Sequence, residues 1–417
     1  MEPFATGTWL TRSRVRAVAL VLVLGTAAAV LLLLATRTGP HGTLDKWGRP
    51  LGTDFTLIWS AGTLALEGRA AGAYDWTTIG EAEKATHGTE DVALLGWHYP
   101  PIFFLLAAPL ASLPYIVSLV LWQAVTLAGA ALVAWRILPR WDTLLVALGF
   151  PAVLVGLAHG HNGFLTAALF GGGLLLLDRR PFIAGLLLGC LAYKPQFGII
   201  LPLALAAGGY WRAIAGATIA VIALVAAALT FFGAETWAAF FSSIESTRRI
   251  VIEDGATGWY KIQSIFAWVR MLGGSLPLAY AAQGFVSFCV IAATVWLWFI
   301  QAPMRLRAAC LLLASLLSTP YLLDYDLVLL GPAIALLASY GLEHGFRRWE
   351  ATALAFAWVV PIPARALAFF CQIPGGFLAV SILFILAASR AMRESSGEAS
   401  FSRIAASWRR STRRAPG

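Results

Sequence analysis

Residues 15–34 read VRAVALVLVLGTAAAVLLLL, and this run decides the class of fold. It carries one charge, Arg16, near its start. As a helix rising about 1.5 Å per residue it reaches about 30 Å, the thickness of bilayer hydrocarbon. Tyr115–Trp135 and Leu276–Ile300 are blocks of the same kind. Over 417 residues, 59% are hydrophobic and 12% charged, where a soluble domain carries roughly a quarter charged. Too little charge is left to cover a water-soluble core of this size, and most ionisable residues fall in the gaps between apolar blocks. The expectation is an all-α polytopic membrane protein with about ten to twelve transmembrane helices.

Arg12, Arg14 and Arg16 precede the first run as they would in a secretory signal. The run continues to Ala35, longer than the usual signal core, and Ala35-Thr36-Arg37-Thr38 offers no small-x-small cleavage site. A retained signal-anchor is expected. Two stretches do not fit straight crossings. Pro100–Trp135 is interrupted by Pro109 and Pro114, and Asp178–Tyr210 is broken at Lys194-Pro195 and Gly208-Gly209. Apolar pieces of about 14 residues reach only about 21 Å as helix. Bent or partial helices follow, and membranes tolerate these only where protein or a water-filled cavity covers the freed backbone.

Orientation comes from the short loops. Arg136 and Arg140, Arg179 and Arg180, Arg212, Arg305 and Arg307, and Arg347 and Arg348 recur at alternate gaps, which places those gaps in the cytoplasm. After Ser389 the chain holds seven Arg against Glu394 and Glu398, with Phe401, Ile404 and Trp408 interleaved. Such a tail suits the anionic lipid surface. Basic tails also mark nucleic-acid binders, but beside so much membrane sequence no nucleic acid is expected. Both termini are then cytoplasmic. The chain divides into one transmembrane domain, 1–390, and a basic cytoplasmic tail, 391–417.

Cys190, Cys289, Cys310 and Cys371 all lie in apolar runs without CxxC or Cys/His spacing, so neither a metal site nor a disulfide framework is indicated. There is no GxGxxG, GxxxxGK[ST] or HExxH, and no cofactor is expected. Gly171-Gly172-Gly173 reads as close helix packing.

With this topology the outer side receives a first loop, 36–98, a second segment, 233–274, and the short Thr319–Asp326 connection. In the first loop Phe55, Ile58, Trp59, Gly62, Ala65 and Leu66 follow helical spacing on one face, which describes an amphipathic interfacial helix with Trp59 near headgroup depth. Asp54 falls in its first turn, where it either caps the helix or does chemistry. The loop re-enters at Trp97-His98-Tyr99-Pro100-Pro101. His98 either snorkels at the interface or handles phosphate or a proton, since histidine is tunable near neutral pH.

His159-Gly160-His161-Asn162-Gly163 and Tyr193-Lys194-Pro195-Gln196 are polar knots between apolar runs on the same side. Ionisable groups at membrane depth are costly and tend to be functional. Lys194, one of four lysines, needs a phosphate or a carboxylate, with Asp324 the structural partner to weigh. In the second segment Arg248, Arg249, Lys261 and Gln263 surround Trp259-Tyr260. The two arginines either clamp a phosphate or pair with Glu245 and Glu253. Aromatic faces, Tyr99 and Tyr321 among them, suit sugar rings, and basic groups suit a lipid-phosphate leaving group.

Asp54-Phe55, Gly68, Ala73-Tyr74-Asp75, Tyr99-Pro100-Pro101 and Pro109–Pro114 occur in an order that resembles glycosyltransferase family 87 of the GT-C superfamily. The Asn162 segment, Ala184-Gly185 with Lys194-Pro195, and Thr319-Pro320 with Asp324-Tyr325-Asp326 continue the pattern. The resemblance spans about Asp54 to Leu336. It departs where Leu323-Asp324-Tyr325-Asp326 stands for a late motif that often carries histidine, and where Gly160-His161-Asn162 stands for Gly-Gln-x-Asn. The family includes actinobacterial polyprenol-phosphate-mannose-dependent mannosyltransferases.

The resemblance implies a GT-C-like fold with interfacial helices from the first outer loop. It implies a polyprenyl-phosphate-sugar donor, a lipid or glycan acceptor, metal independence, inversion at the sugar carbon and a bacterial inner-membrane enzyme acting on its outer face. It also implies that Asp54 is the general base, with Asp45 and then Asp324 as fallbacks. His98, Tyr99, His161, Asn162, Lys194, Arg248, Arg249, Lys261, Gln263, Tyr321 and Asp324 are the expected substrate and phosphate contacts. A lipid or solute transporter would also show proline breaks and buried charge, but it would not need a long outer loop holding helices.

Overall fold

The computed structural model describes residues 1–92 and 94–412, with 397–412 as backbone alone. The basic-tail expectation for 391–417 therefore falls mostly outside what is described. All the regular secondary structure among the described residues is helical. Among the described residues six helices are long and apolar enough to cross a membrane: Arg12–Ala35, Tyr115–Ile137, Trp211–Glu253, Leu276–Phe299, Asp324–His344 and Gly375–Ser396. Two bent pairs raise the number to eight, and the ten to twelve expected from sequence are reached only by counting short apolar helices such as Gly163–Leu176 as well. The chain is an all-α polytopic membrane protein.

In chain order, α1 (Arg12–Ala35) is the first long helix, and α2 (Thr53–Leu66) and α3 (Trp76–His87) belong to the first loop. Next come α4 (Phe104–Ala111), α5 (Tyr115–Ile137) and the first bent pair, α6 (Trp141–Leu148) and α7 (Pro151–His159), which meet at 50°. They are followed by α8 (Gly163–Leu176), α9 (Pro181–Gly189) and α10 (Trp211–Thr247). Then α11 (Leu276–Phe299), α12 (Met304–Leu317) and α13 (Leu330–His344) lead to the second bent pair, α14 (Glu350–Val359) and α15 (Ala364–Cys371), at 83°. The last helix is α16 (Gly375–Thr412).

The core centres on α12, whose residues from Leu306 to Leu317 are all buried. The short helix α8 survives in the bundle because protein covers it, with no residue of Gly163–Leu176 exposed. Glycines set the closest crossings. A Cβ on Gly185 would lie 2.0 Å from the carbonyl of Ala213, and one on Gly216 2.2 Å from that of Phe182, so α9 and α10 touch through backbone. Gly171 and Gly173 likewise face Val133 and Leu188.

The bundle has two chemically distinct ends. Helix α1, about 36 Å long, runs from Arg12 and Arg16, both paired with Asp142, to the start of the first loop. Helix α5 runs from Tyr115, whose hydroxyl donates to the carbonyl of Leu51, back to Arg136. The Arg390–Glu350, Arg347–Glu394 and Arg305–Glu343 pairs lie at the arginine end. At the other end, loop one packs over the bundle. Helix α2 is not a half-exposed interfacial helix, as its spacing suggests. Its Phe55, Thr56, Leu57, Ile58, Ser60, Ala61, Gly62 and Leu64 are buried, and Trp59 donates to the carbonyl of Leu113. Helices α3 and α4 cover the face that would otherwise lie in lipid.

Candidate active site

The polar knots of the sequence converge beneath α2. Gly52 takes a left-handed conformation (φ 69°) and ends the approach to the helix. Gly160, also left-handed (φ 65°), closes α7. A Cβ on Gly160 would stand 2.6 Å from Cβ of Phe55 and 3.1 Å from Cα of Gly52. The two glycines let the start of α2 rest directly on the turn that carries His159, His161 and Asn162.

Asp54 occupies the second position of α2, and its Oδ2 is buried without a hydrogen-bond partner. That atom lies 4.0 Å from Nδ1 of His159, and the Asp54 side chain keeps 20% exposure. Nδ1 of His159 shares a hydrogen bond of 2.8 Å with the Thr53 hydroxyl. The N-cap position is Gly52, so the helix-capping alternative for Asp54 has no geometric support. Burial pushes the Asp54 carboxyl from 3.8 up to about 7, with Lys194 and Lys261 opposing and Asp324 and Asp326 reinforcing the rise. A group poised there is matched to proton transfer at neutral pH.

Below lies a sealed layer. Nζ of Lys194 donates to Oδ1 of Asp326 at 2.7 Å and sits 3.2 Å from Nε2 of His161. The side chains of this ion pair are 5% and 2% exposed. The lysine does find a carboxylate, but it is Asp326, not Asp324. Asp324 turns instead to Arg365, which grips it with Nε at 2.5 Å and Nη2 at 3.0 Å. Nη2 of Arg365 also lies 3.1 Å from Nε2 of His159. The ring of Tyr325 stands between the two histidines, 5.3 Å from His159 and 3.8 Å from His161. Buried Asn162 leaves both amide atoms, and His161 leaves Nδ1, without partners. Unsatisfied buried polar atoms cost about 1–3 kcal/mol each, and a group that bonded Asn162 and His161 here would offset that cost.

Of the remaining expected contacts, several lie elsewhere. Arg248 pairs with Glu253 at 2.6 Å and with Glu245 at 4.0 Å, while Arg249 pairs with Asp254 at 3.8 Å. Both arginines are exposed (50% and 75%) and stay outside the site. A π-helical turn at the end of α10 aims them outward, toward acidic neighbours a few residues away. Gln263 is consumed within the protein: its Oε1 accepts from the amide of Gly376 at 2.9 Å, and its backbone amide donates to the carbonyl of Leu322 at 2.7 Å. His98 shares a hydrogen bond with the Thr247 hydroxyl at 3.0 Å, and burial lowers it to about 4. Asp45 is occupied in a turn, accepting from the amides of Trp47 and Arg49.

Tyr99 and Tyr321 stand within electrostatic reach of Asp54 and Asp326. Lys261 reaches Asp54 and His159 in the same way, and its ammonium lies 5.9 Å from the Tyr260 ring. Sequence reasoning passes over Arg365, and over the role of His159. The available signal is an arginine inside the apolar stretch 361–371, at a depth where charge is costly.

An apolar cavity of about 590 Å³ opens between α1 and the bundle. It runs from Arg12, Arg14, Arg16 and Arg140 at the arginine end to Phe164 and Val328, close in the chain to Asn162 and Asp326.

A carboxylate without a hydrogen-bond partner at Oδ2, set over a layer of buried ion pairs inside a polytopic membrane protein, is an arrangement that a membrane-embedded group-transfer enzyme can use. The family model for glycosyltransferase family 87 matches residues 97–320, more than half of the chain. The chain belongs to glycosyltransferase family 87 and is a membrane glycosyltransferase. The matched region includes Tyr99, His161, Asn162, Lys194 and Lys261, and leaves Asp54, Asp324, Asp326 and Arg365 outside it. No curated protein and no solved structure matches.

Proposed function

We propose that this glycosyltransferase moves a hexose, mannose favoured, from a polyprenyl-phosphate-sugar donor to a lipid or glycan acceptor. The reaction takes place on the outer face of a bacterial inner membrane, with inversion, and Asp54 is the general base. The observation that carries the reading is the Asp54 carboxylate, raised to about 7, partnerless at Oδ2 and still partly open to the site. The acceptor hydroxyl oxygen attacks the anomeric carbon while its proton passes to Asp54. The bond from that carbon to the phosphate oxygen breaks, and its electron pair leaves with the polyprenyl phosphate. Cationic groups that meet this developing charge lower the barrier.

The ring faces of Tyr99, Tyr321 and Tyr325 near Asp54 suit a sugar, as aromatic faces do elsewhere. The apolar cavity that ends at Phe164 and Val328 suits an isoprenoid chain. Supplying purified protein with radiolabelled hexose on polyprenyl phosphate, and in a parallel reaction on a nucleotide, tests the reading. Label is expected to enter membrane lipid or glycan from the lipid-linked donor. Transfer from the nucleotide sugar alone would overturn the donor class. Membrane glycolipids with and without the gene identify the acceptor.

A further inference from the structure

The break at Pro361-Ile362-Pro363 turns α15 by 83° away from α14 and delivers Arg365 to the site from the side opposite α2. The resulting ion pair is asymmetric. Asp324 is 3% exposed and Arg365 36%, so the carboxylate is the buried member of the pair and the arginine side chain the partly accessible one. Asp324 takes Nε and one side of Nη2, and His159 lies against Nη2 as well. Nη1 has no partner among the described residues. A guanidinium held by its own carboxylate and histidine, with one amino group free, presents a pre-oriented donor to an anion.

We propose that Arg365 is the phosphate-binding residue of the donor site, holding the leaving phosphate on Nη1 with Lys261 as the second cation. This assignment rests on the glycosyl-phosphate reading above and names a residue for it. Lys194, the residue that sequence spacing favours, is sealed below and neutralised by Asp326. A phosphate could reach it only by breaking a buried ion pair.

The placement of Arg365 also satisfies the stereochemistry. The imidazole of His159 lies between the two groups, with Asp54 4.0 Å from its Nδ1 and Arg365 3.1 Å from its Nε2. A pyranose lying over His159 and Tyr325 therefore has the base towards one edge and the guanidinium towards the other. Inverting displacement requires that separation of attacking and leaving atoms. As the bond from the anomeric carbon to the phosphate oxygen breaks, the electron pair and negative charge arrive beside Arg365.

The test uses full-length purified protein and sugar-free polyprenyl phosphate as the probe, with polyprenol and inorganic phosphate as comparison ligands. Wild-type protein is expected to bind polyprenyl phosphate well above polyprenol. Arg365→Gln alone would strand a buried carboxylate, so the informative variant is the double Arg365→Gln/Asp324→Asn, which removes both charges together. It is expected to bind the probe about 10- to 100-fold more weakly, the scale of one lost charge-assisted hydrogen bond, and to raise donor KM more than acceptor KM. If the double variant is recovered in poor yield, Arg365→Lys, which keeps the ion pair but loses the fork, is expected to weaken the probe several-fold. Wild-type-like affinity in either variant would overturn the Arg365 assignment and leave the donor class standing. A wild-type protein that fails to prefer polyprenyl phosphate over polyprenol would remove the donor class itself, and this inference with it.

Discussion

At the residue scale, Asp54 and Lys194 carry distinct and separable consequences. Asp54→Asn removes a proton acceptor while keeping size and helix compatibility. Turnover is expected to fall about 100- to 10,000-fold, the range for a positioned general base, with donor binding nearly intact; near-normal transfer would exclude Asp54 as the base. The raised value near 7 fixes the direction of the pH dependence, because only the carboxylate can accept the proton. Activity is expected to rise with pH through about 7 and then level. Stability runs the other way. A carboxyl raised from 3.8 to about 7 favours the fold fully below pH 3.8, and that contribution is lost as pH climbs through about 7. Asp54→Asn is therefore expected to melt no lower than wild type above pH 7, measured in detergent. For Lys194→Met the prediction is structural. It leaves Asp326 buried and unpaired, a cost of roughly 3–5 kcal/mol, and the double variant Lys194→Met/Asp326→Asn is expected to recover most of it. Equal melting of the single and double variants would show that the pair contributes little.

At the scale of elements, glycines set the closest helix crossings by letting backbone meet backbone. Gly185 of α9 and Gly216 of α10 bring the two helices together at carbonyl distance. Gly185→Leu must push these helices apart and is expected to abolish recovery of monodisperse protein. Gly284 in α11 is the opposite case, since a Cβ there would meet nothing within 4 Å. Its alanine variant is expected to be neutral or stabilising by about 0.5–1 kcal/mol, because alanine suits a helix interior better than glycine. Size-exclusion profiles of the two variants separate the cases. The same scale explains α2. Its apolar spacing describes one lipid-facing stripe, but Gly62 admits the α4 backbone, where a Cβ would lie 2.2 Å from the carbonyl of Ala107. A glycine within such a pattern marks a packing face that the spacing of larger side chains does not reveal.

At the scale of the whole molecule, the long helices sort the chain into an arginine-rich end and a site-bearing end. On a background with Cys190, Cys289, Cys310 and Cys371 replaced, a cysteine at Glu81 is expected to react with an impermeant thiol reagent in intact cells, and one at Arg180 to stay protected. Both positions are exposed, so reagent access is not limited by burial. The reverse pattern would place the site in the cytoplasm, where nucleotide sugars are at hand, and would replace the lipid-linked donor class.

What the sequence determined by itself follows from costs that add residue by residue. Transfer of apolar side chains into lipid accumulates along a helix, so composition and run length were enough for the membrane class and for the long spans. The cost of a lone ammonium at depth was enough to require an anion beside Lys194. An acidic residue just inside a loop helix left capping and chemistry both open for Asp54, and only the family resemblance implied the base. Which anion, which cation and which histidine meet was decided only by the tertiary structure. Lys194 takes Asp326, and Asp324 takes Arg365 because the 83° bend between α14 and α15 brings in a residue 41 positions further along the chain. Arg248 and Arg249 chose neighbours five residues along the chain for the opposite reason: a local turn aims them outward. Pairing energies depend steeply on distance, and distances between remote segments are set by bend angles and backbone contacts that no spacing along one chain encodes.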